Sequence, residues 1–292
     1  MRVDDVLRGG DVMRGDDLER RYARMQDILR ELRRVAVAFS AGVDSTLVLK
    51  VAVDTLGPEN VVAVTGRSDS LARSEFAEAC ALAESVGAEH VVLDTDEFDN
   101  PDYVTNPPDR CYHCKTALYD RLAGLVAERG LCAAVNGINA DDLGDHRPGI
   151  EAAREHGVRA PAAEAGLTKR DVRALADRLG LANRAKPASP CLSSRIPYGE
   201  AVTVEKLRMI EAAEGFLHDL GFAVCRVRHH GDLARIEVPR EMIAQLAAPG
   251  VVERVDRRLR DIGYRYVALD LRGFASGRMN EVITVGVGGS AT

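Results

Sequence analysis

Six residues near the start of the chain combine small size, a carboxylate and hydroxyls in one short loop. They are Ser40, Ala41, Gly42, Val43, Asp44 and Ser45, between an apolar run at 35–39 and a helical pattern at 46–55. A loop that joins a buried strand to a helix start turns backbone N–H groups and the positive end of the helix dipole toward one point, which suits an anion. No Gly-Lys-Ser/Thr sequence follows, so this is not a Walker loop, and we predict that it holds the pyrophosphate of ATP.

Two chemically active residues, Asp44 and Ser45, end this segment, which we call the phosphate loop (residues 40–45). A carboxylate at this point can hold Mg²⁺, while the hydroxyl and the N–H groups hold phosphate oxygens. A tight strand-to-helix turn capped by Ser45 is the alternative. A complete small-residue loop with the correct flanks is rarer than a cap, so we favour the nucleotide site.

Further nucleotide contacts are predicted after two later strands. Thr65 ends the second predicted strand, and Arg67 and Ser70 follow it, where they could frame the adenosine, although polar residues are common in such loops. Gly137 lies in the sequence Asn-Gly-Ile-Asn-Ala-Asp-Asp directly after another strand, at the same predicted sheet edge. The aspartates of that sequence could ligate Mg²⁺ or cap the next helix, and both possibilities remain open.

Three of the six cysteines could act together. Cys111 and Cys114 form a C-x-x-C pair followed by Lys115, and Cys191 lies in a proline-bounded loop. Two thiolates at this spacing converge across a single turn, and three suit a four-iron cluster with one iron left open. By itself the C-x-x-C favours a zinc site, which could use His113, or a redox dithiol. The other cysteines, which are expected to be small core residues, are Cys80, Cys132 and Cys225.

A second set of charged residues lies in the last third of the chain. Arg226 and Arg228 alternate on one predicted strand and therefore point to one face, where two guanidinium groups could hold a phosphate, with Arg195 as a third. A solvated strand face is the alternative for the first two. Glu214 and Glu237 could bind a divalent ion, but carboxylates more often form ion pairs.

Strands and helices alternate through most of the chain, which predicts an α/β fold with a parallel sheet covered by helices. Ligands gather at the carboxyl ends of such strands, where the phosphate loop lies. The predicted strands are 35–39, 60–65, 90–93 and 131–136, and the predicted helices are 17–34, 46–55, 70–86, 112–129 and 168–179, the last capped by Thr168. Residues 185–200 are predicted to be a loop.

The order of predicted helices and strands changes after residue 200, where a smaller α+β domain is predicted. Its helices are 204–220, 240–246 and 251–262, and its strands are 223–228, 233–238 and 265–269, with His229 and His230 in the turn of a hairpin. The domains predicted in this way are a flexible N-terminus at 1–16, a nucleotide-binding domain at 17–200, an α+β domain for substrate binding or oligomerisation at 201–275, and a flexible tail at 276–292.

Composition excludes several classes of protein. The chain has 292 residues, of which 46% are hydrophobic and 29% are charged, so it can bury a sizeable core and is not a collagen, a coiled coil or a disordered chain. Its formal charge of -6 gives no general attraction to nucleic acid. No apolar run is long enough to span a membrane, and the N-terminus lacks the apolar core of a signal peptide, so we expect a cytoplasmic protein.

Taken together, the motifs resemble the LarE family of ATP-dependent sulfur transferases, a branch of the ATP pyrophosphatases. The resemblance covers roughly residues 33–238 and rests on the phosphate loop, CYHCK, NGINADD, LGDHRPG, EAGLTK, KPASPCLSSRIPYG and the Arg226-Val227-Arg228 sequence. The KPASPCLSSRIPYG segment is its most specific part. One departure is Ala41, where the family usually has glycine; because alanine disfavours positive φ, we expect the loop to keep its shape only if Ala41 has a negative φ.

The resemblance implies a reaction, its cofactors and the roles of individual residues. Members of this family convert carboxylates of pyridinium-3,5-biscarboxylic acid mononucleotide to thiocarboxylates during nickel-pincer nucleotide biosynthesis, and form hexamers. One kind surrenders the sulfur of a single cysteine, and the other is thought to hold a [4Fe-4S] cluster on three. With three cysteines this chain resembles the second kind, so the implied cofactors are ATP, Mg²⁺ and the cluster. The implied contact to a nucleotide phosphate is Lys115, and the implied substrate contacts are Ser194, Arg195, Arg226 and Arg228.

Other functions remain open at this stage. A tRNA thiolation enzyme would use the same loop with cysteines, but would need a broad basic surface. An amidating ligase of the NAD synthetase or GMP synthetase type shares the loop and has no need of three clustered thiols. A non-catalytic zinc-bound scaffold is the alternative from another class.

Overall fold

The computed structural model describes residues 3–144 and 148–275. These residues divide into two compact units that interleave along the sequence. The first unit contains the described parts of the chain up to Ser68 together with Arg73–Glu97 and Cys111–Pro187, and the second contains Asp69–Ala72, Phe98–Arg110 and the described residues from Ala188 onward. The predicted boundary at residues 200 and 201 stays a prediction.

A four-stranded parallel sheet forms the centre of the first unit. Its strands are β1 (Val35–Ala38), β2 (Val61–Arg67), β3 (Glu89–Asp94) and β4 (Ala133–Val135), in the order β3-β2-β1-β4. Valine and alanine dominate the two central strands, β1 and β2, where most side chains are buried, as expected when helices cover both faces of a parallel sheet. The predicted α/β fold with a parallel sheet is confirmed.

Helices cover the first sheet and provide the rest of its core. They are α1 (Val3–Leu32), α2 (Val43–Leu56), α3 (Arg73–Val86), α5 (Arg110–Glu128), α6 (Pro148–Glu155), α7 (Pro161–Glu164) and α8 (Lys169–Arg178), with α4 (Pro101–Val104) in the second unit. Helix α1 begins well before the predicted start at Asp17, because each glycine in this segment costs a helix only about 1 kcal/mol. The predicted cap of α8 is confirmed, since Thr168 and Asp171 form a capping box.

The second unit contains the smaller sheet. Its helices are α9 (Val204–Asp219), α10 (Ile243–Leu246) and α11 (Val251–Ile262), and its strands are β5 (Arg226–His230), β6 (Leu233–Glu237) and β7 (Tyr266–Leu269). Strands β5 and β6 are antiparallel, whereas β6 and β7 are parallel. The predicted α+β character is therefore confirmed. The prediction that His229 and His230 form the turn was wrong: both belong to β5, because His230 pairs with Leu233 and the turn is only Gly231-Asp232.

Some predictions fall on residues outside the described parts of the chain. They are the tail at 276–292 and the aspartate, histidine and arginine of the LGDHRPG segment, at 145–147. The flexibility of residues 1–16 stays a prediction. Among the described residues, no helix combines the length and apolar character needed to cross a bilayer.

Candidate active site

The phosphate loop joins β1 to α2 at the carboxyl edge of the first sheet. Its turn is made by Ala41 at φ +56° and by Gly42 at φ −74° and ψ 158°. The expectation that the loop keeps its shape only with Ala41 at a negative φ was wrong, and the left-handed backbone costs an L-residue about 1–2 kcal/mol. The N–H of Ser40 donates to Ser45 Oγ at 3.3 Å, and Ser45 Oγ donates to the Gly42 carbonyl at 3.1 Å. These bonds close the loop on itself in front of the first turn of α2.

Asp44, the predicted Mg²⁺ ligand, lies in the first turn of α2 and has two partners from other elements. Asn139 Nδ2 donates to Asp44 Oδ1 at 3.2 Å, and the ammonium of Lys169 forms an ion pair with Oδ2. The backbone N–H of Lys169 donates to Asp141 Oδ2 at 2.8 Å. Two donors therefore fix the direction of the carboxylate, which is half-buried; its predicted role as a Mg²⁺ ligand stays a prediction.

Gly137 packs directly against the phosphate loop. A Cβ atom at this position would lie 2.6 Å from Ser45 N, 2.8 Å from Ser45 Cα and 2.9 Å from the carbonyl carbon of Asp44. All three atoms belong to backbone and cannot move aside as a flexible side chain would. The strand end at β4 therefore supports the loop from one side, and only glycine fits there.

We therefore expect Gly137→Ala to displace the phosphate loop and weaken MgATP binding by about tenfold or more, equivalent to about 1.4 kcal/mol. Isothermal titration calorimetry would measure the change. Gly124→Ala is the matched control, because a Cβ at Gly124, on helix α5, meets nothing within 4 Å. Unchanged MgATP affinity in Gly137→Ala would contradict the assignment of this loop to the nucleotide.

Thr65 connects the second strand to the start of the phosphate loop. Its hydroxyl donates to the Phe39 carbonyl at 2.8 Å, so the 2.9 Å contact with His90 Nε2 must use the ring N–H as donor. Burial lowers the pKa of His90, which favours the neutral ring; in that form the contact fixes the tautomer with its hydrogen on Nε2. Thr65 is therefore placed where it orders the loop entrance; its predicted contact with adenosine stays a prediction.

The other two residues predicted to frame the adenosine belong to different units. Arg67 ends β2 and forms a two-pronged ion pair with Asp94 at the end of β3, at 2.7 and 3.0 Å. This pairing lowers the pKa of Asp94 and raises that of Arg67. Ser70 belongs to the second unit, where its carbonyl accepts from the N–H of Leu192 at 2.9 Å.

The C-x-x-C pair lies in the first turn of α5, with Lys115 directly after it. Cys111 is exposed and Cys114 is half-buried, and their spacing of three residues places both on one face of the helix. Cys225 is buried, and burial raises the pKa of its thiol to about 12. The core prediction was wrong for Cys132, which is exposed, because it precedes β4 and does not belong to it.

Cys191 lies in the second unit, at the start of a short 3-10 helix, Leu192–Arg195, and it is half-buried. Arg195 holds its backbone: Nη1 donates to the carbonyls of Pro190 at 2.5 Å and Cys191 at 2.9 Å, and to Ser194 Oγ at 3.0 Å. The other edge of the guanidinium group binds Glu214 through two bonds of 2.9 and 3.0 Å. Buried Arg195 thus fixes the backbone beside the Cys191 thiol.

The two arginines of β5 are both buried. Arg226 donates to the carbonyls of Cys225 at 2.6 Å and Ala188 at 3.3 Å, and burial lowers its pKa. Arg228 donates to the Ser194 carbonyl and to Glu237 Oε2, each at 2.9 Å, while its buried Nε atom has no hydrogen-bond partner within residues 3–144 and 148–275. The solvated-face alternative therefore does not hold for this strand.

The residues predicted to bind metal have different surroundings in the structure. Glu214 and Glu237 each accept from buried arginines and lie in separate ion pairs, so their role as divalent-ion ligands stays a prediction. Among the described residues, no group of three His, Cys, Asp or Glu side chains surrounds a common metal position. The two cysteines of α5 could supply two sulfur ligands from one helix turn.

Loss of the Glu214 charge should destabilise the second unit. Glu214→Gln leaves the buried guanidinium of Arg195 without its anion, and we expect a loss of about 3 kcal/mol in the free energy of unfolding. Urea denaturation would measure it. Glu205→Gln, an exposed position on the same helix, is the control. Equal stability of the two variants would show that the ion pair does not hold the Cys191 segment.

Comparison with known proteins bears on the identity of this site. Residues 21–101, which include the phosphate loop, match the family model described as NAD synthase. A protein of Lactiplantibacillus plantarum named pyridinium-3,5-bisthiocarboxylic acid mononucleotide synthase is 44% identical over 267 residues, which cover 91% of this chain and 96% of that protein. The chain belongs to this LarE-like synthase family. The family resemblance drawn from the motifs is confirmed.

Two uncharacterized proteins are also similar to this LarE-like chain. A Synechocystis sp. protein is 45% identical over 267 residues, covering 91% of the chain and 99% of that protein. A Methanocaldococcus jannaschii protein is 25% identical over 244 residues, covering 84% of the chain and 92% of that protein. The similarity therefore extends well beyond the segment that carries the phosphate loop.

Sequence reasoning on this LarE-like chain missed the residues that support the phosphate loop. Asn139, Lys169, Asn183 and Lys186 contact the loop from positions far along the chain. Three of them stand in quoted motifs: Asn139 in NGINADD, Lys169 in EAGLTK and Lys186 in KPASPCLSSRIPYG. The motifs therefore marked the segments but not the contacts.

Proposed function

We propose that this chain is an ATP-dependent, AMP-forming sulfur transferase. Its substrate would be pyridinium-3,5-biscarboxylic acid mononucleotide, one carboxylate of which it would adenylate and convert to a thiocarboxylate for nickel-pincer nucleotide biosynthesis. The observation that carries the proposal is the 44% identity, over 91% of the chain, to a protein named as the synthase of the corresponding bisthiocarboxylic acid. The phosphate loop with Asp44 and the cysteine-bearing segments support it chemically.

The first half of the proposed reaction activates a carboxylate. A carboxylate is a poor electrophile because its charge repels nucleophiles and oxide leaves badly, whereas a mixed anhydride with AMP reacts readily. The substrate oxygen would attack the α-phosphorus of ATP, and pyrophosphate would leave. The phosphate loop would hold the leaving pyrophosphate through its backbone N–H groups, while Asp44 would hold the Mg²⁺ that offsets the charge on it.

The second half replaces oxygen by sulfur. A sulfur nucleophile would attack the acyl carbon of the adenylate, AMP would leave with the shared oxygen, and the thiocarboxylate would remain. The thiolate is the competent form of a thiol. A sulfide nucleophile would give the thiocarboxylate directly. The thiolate of Cys191, whose backbone is fixed by Arg195, would instead give a thioester, from which loss of the Cα proton to solvent and cleavage of the Cβ–Sγ bond would release the thiocarboxylate and leave dehydroalanine.

Cys111, Cys114 and Cys191 would together hold a [4Fe-4S] cluster, which when bound would supply a labile sulfide. The donor set suits such a group, since all three thiols are outside disulfides and none is buried. If the cluster is not bound, the sulfur of Cys191 itself is the available nucleophile. Iron and acid-labile sulfide analysis of anaerobically purified protein distinguishes these cases.

Arginines of the second unit would position the substrate. Arg226 and Arg228 would hold the substrate phosphate, helped by the Ser194 hydroxyl, whereas Arg195 would act through the backbone of Cys191. The buried Nε of Arg228, which has no partner among the described residues, is a donor that a bound anion could satisfy. Lys115 would contact a nucleotide phosphate, and assembly into a hexamer stays a prediction.

An amidating ligase is the second candidate, because residues 21–101 match the NAD synthase family model. Such an enzyme would form the same adenylate but give it to ammonia. Anaerobic incubation with MgATP, the pyridinium substrate and either sulfide or ammonia separates the two. We expect AMP together with a product in which sulfur has replaced one oxygen; an amide product, or no AMP, would refute the proposal.

A further inference from the structure

The backbone at Ala41 is held in a conformation that its side chain disfavours. Its φ of +56° lies in the left-handed region, and the residue is fully buried. Because the Cβ of an L-residue crowds the following carbonyl in this region, the loop would relax if nothing held it. Some contact around Ala41 must therefore stabilise the loop.

Two donors from one segment meet the Ala41 carbonyl. Asn183 Nδ2 donates to it at 2.9 Å, and Lys186 Nζ donates at 3.3 Å. Asn183 Nδ2 also donates to Thr46 Oγ1 at 2.9 Å, and that hydroxyl donates to the Gly42 carbonyl at 2.9 Å. The segment therefore holds the phosphate loop at both residues that make its turn.

The side chain of Asn183 is buried, and its Oδ1 atom has no hydrogen-bond partner in the described part of the chain. A buried acceptor without a partner costs free energy. Reversing the amide would exchange Oδ1 and Nδ2, and the Ala41 carbonyl and the Thr46 hydroxyl would then lose their amide donor. The orientation present instead satisfies Ala41 and Thr46. The amide orientation therefore gives the loop its two hydrogen bonds and leaves the amide oxygen without one.

Lys186 is itself fixed by two carboxylates of α3. Its ammonium lies 2.6 Å from Glu75 Oε2 and 2.7 Å from Glu78 Oε2, and 13% of its side chain is exposed. An ammonium has three donors, and these two carboxylates with the Ala41 carbonyl account for all three. The lysine is therefore directed at the loop by α3 and has no donor left for a ligand.

We propose that Lys186 and Asn183 are positioning residues that keep the phosphate loop in its anion-binding conformation. They compensate for alanine at position 41, where a glycine would adopt the same backbone without strain. This inference rests on the proposed role of the loop in binding ATP. It assigns neither residue a contact with substrate or nucleotide.

A double-mutant cycle with glycine at position 41 tests this. Lys186→Met should raise the Kd for MgATP by about tenfold, since a bond from a charged donor is lost. In an Ala41→Gly background the same change should raise Kd by about threefold or less, because glycine needs less help to hold the turn. Ala41→Gly alone supplies the reference Kd for this second background. Lys50→Met, which breaks the exposed pair with Asp54 on α2, is the control and should leave Kd unchanged.

Asn183→Ala gives a second version of the cycle that keeps the Lys186 ion pairs, in case Lys186→Met does not fold. Hydrogen exchange of residues 40–45, measured without nucleotide, should be faster in either single variant than in the parent. Equal Kd increases in the alanine and glycine backgrounds, or no increase in either, would overturn the inference. Failure of the parent protein to bind MgATP would instead refute the proposed function, while the exchange measurement would still report on the positioning residues.

Discussion

Cys191→Ser should lower thiocarboxylate formation at least about a thousandfold while MgATP still forms AMP-activated substrate. Serine has nearly the same size, and Arg195 binds the backbone carbonyl of this residue, so the segment should keep its conformation. The hydroxyl cannot supply sulfur and would be a much weaker nucleophile than a thiolate. Pyrophosphate release and product mass, measured on the same sample, would separate the two halves of the reaction.

The control for this variant is Cys132→Ser, which removes an exposed thiol of the first unit that has no proposed role in sulfur transfer. It should form product at the parental rate. If Cys191→Ser keeps full thiocarboxylate formation, Cys191 is neither the sulfur donor nor an essential ligand for one. If it also loses pyrophosphate release, its role lies in activation or folding.

Asp44→Asn should lower pyrophosphate release by about 10²- to 10³-fold, because the site loses the carboxylate proposed to hold Mg²⁺, the cation that would offset the negative charge developing on the leaving group. Asparagine keeps the shape of the side chain and can still accept from Asn139, but it loses the ion pair with Lys169. Steady-state assay of pyrophosphate at several Mg²⁺ concentrations would measure the effect. A partial recovery at high Mg²⁺ is expected.

Asp54→Asn provides the matched control, since Asp54 stands near the other end of the same helix and pairs with Lys50 at 2.5 Å. That pair is partly exposed, and its loss should cost less than about 1 kcal/mol of stability with no change in rate. Equal rates for Asp44→Asn and Asp54→Asn would remove Asp44 from the activation step.

The parts of the fold that sequence predicted are those with a local pattern. The apolar runs predicted the strands of the parallel sheet, and Thr168 as a cap predicted the start of α8, where the structure adds the reciprocal bond from Asp171. Helix α11 was predicted with its observed bounds, 251–262, because its apolar stripe is regular. The hairpin turn was placed too early because the buried strand β5 carries histidines, which have no strong preference for strands.

The site was less predictable, because its contacts join residues that are distant in sequence. Nothing near Asp44 indicates that Lys169 pairs with it, and the positive φ of Ala41 follows from donors on Asn183 and Lys186. The arginines were recognised by type, but the bonds of Arg195 to backbone carbonyls follow only from tertiary structure. The sequence motifs therefore identified the residue types of the site, whereas the contacts of each residue followed only from the tertiary structure.

Isotope transfer from the substrate carboxylate tests the central claim most directly. The pyridinium substrate would be labelled with heavy oxygen in its carboxylates and incubated with MgATP and a sulfur source, and the AMP would be analysed by mass spectrometry. The proposed acyl adenylate predicts one labelled oxygen in each AMP formed together with the thiocarboxylate. Unlabelled AMP, or label found in inorganic phosphate instead, would contradict it.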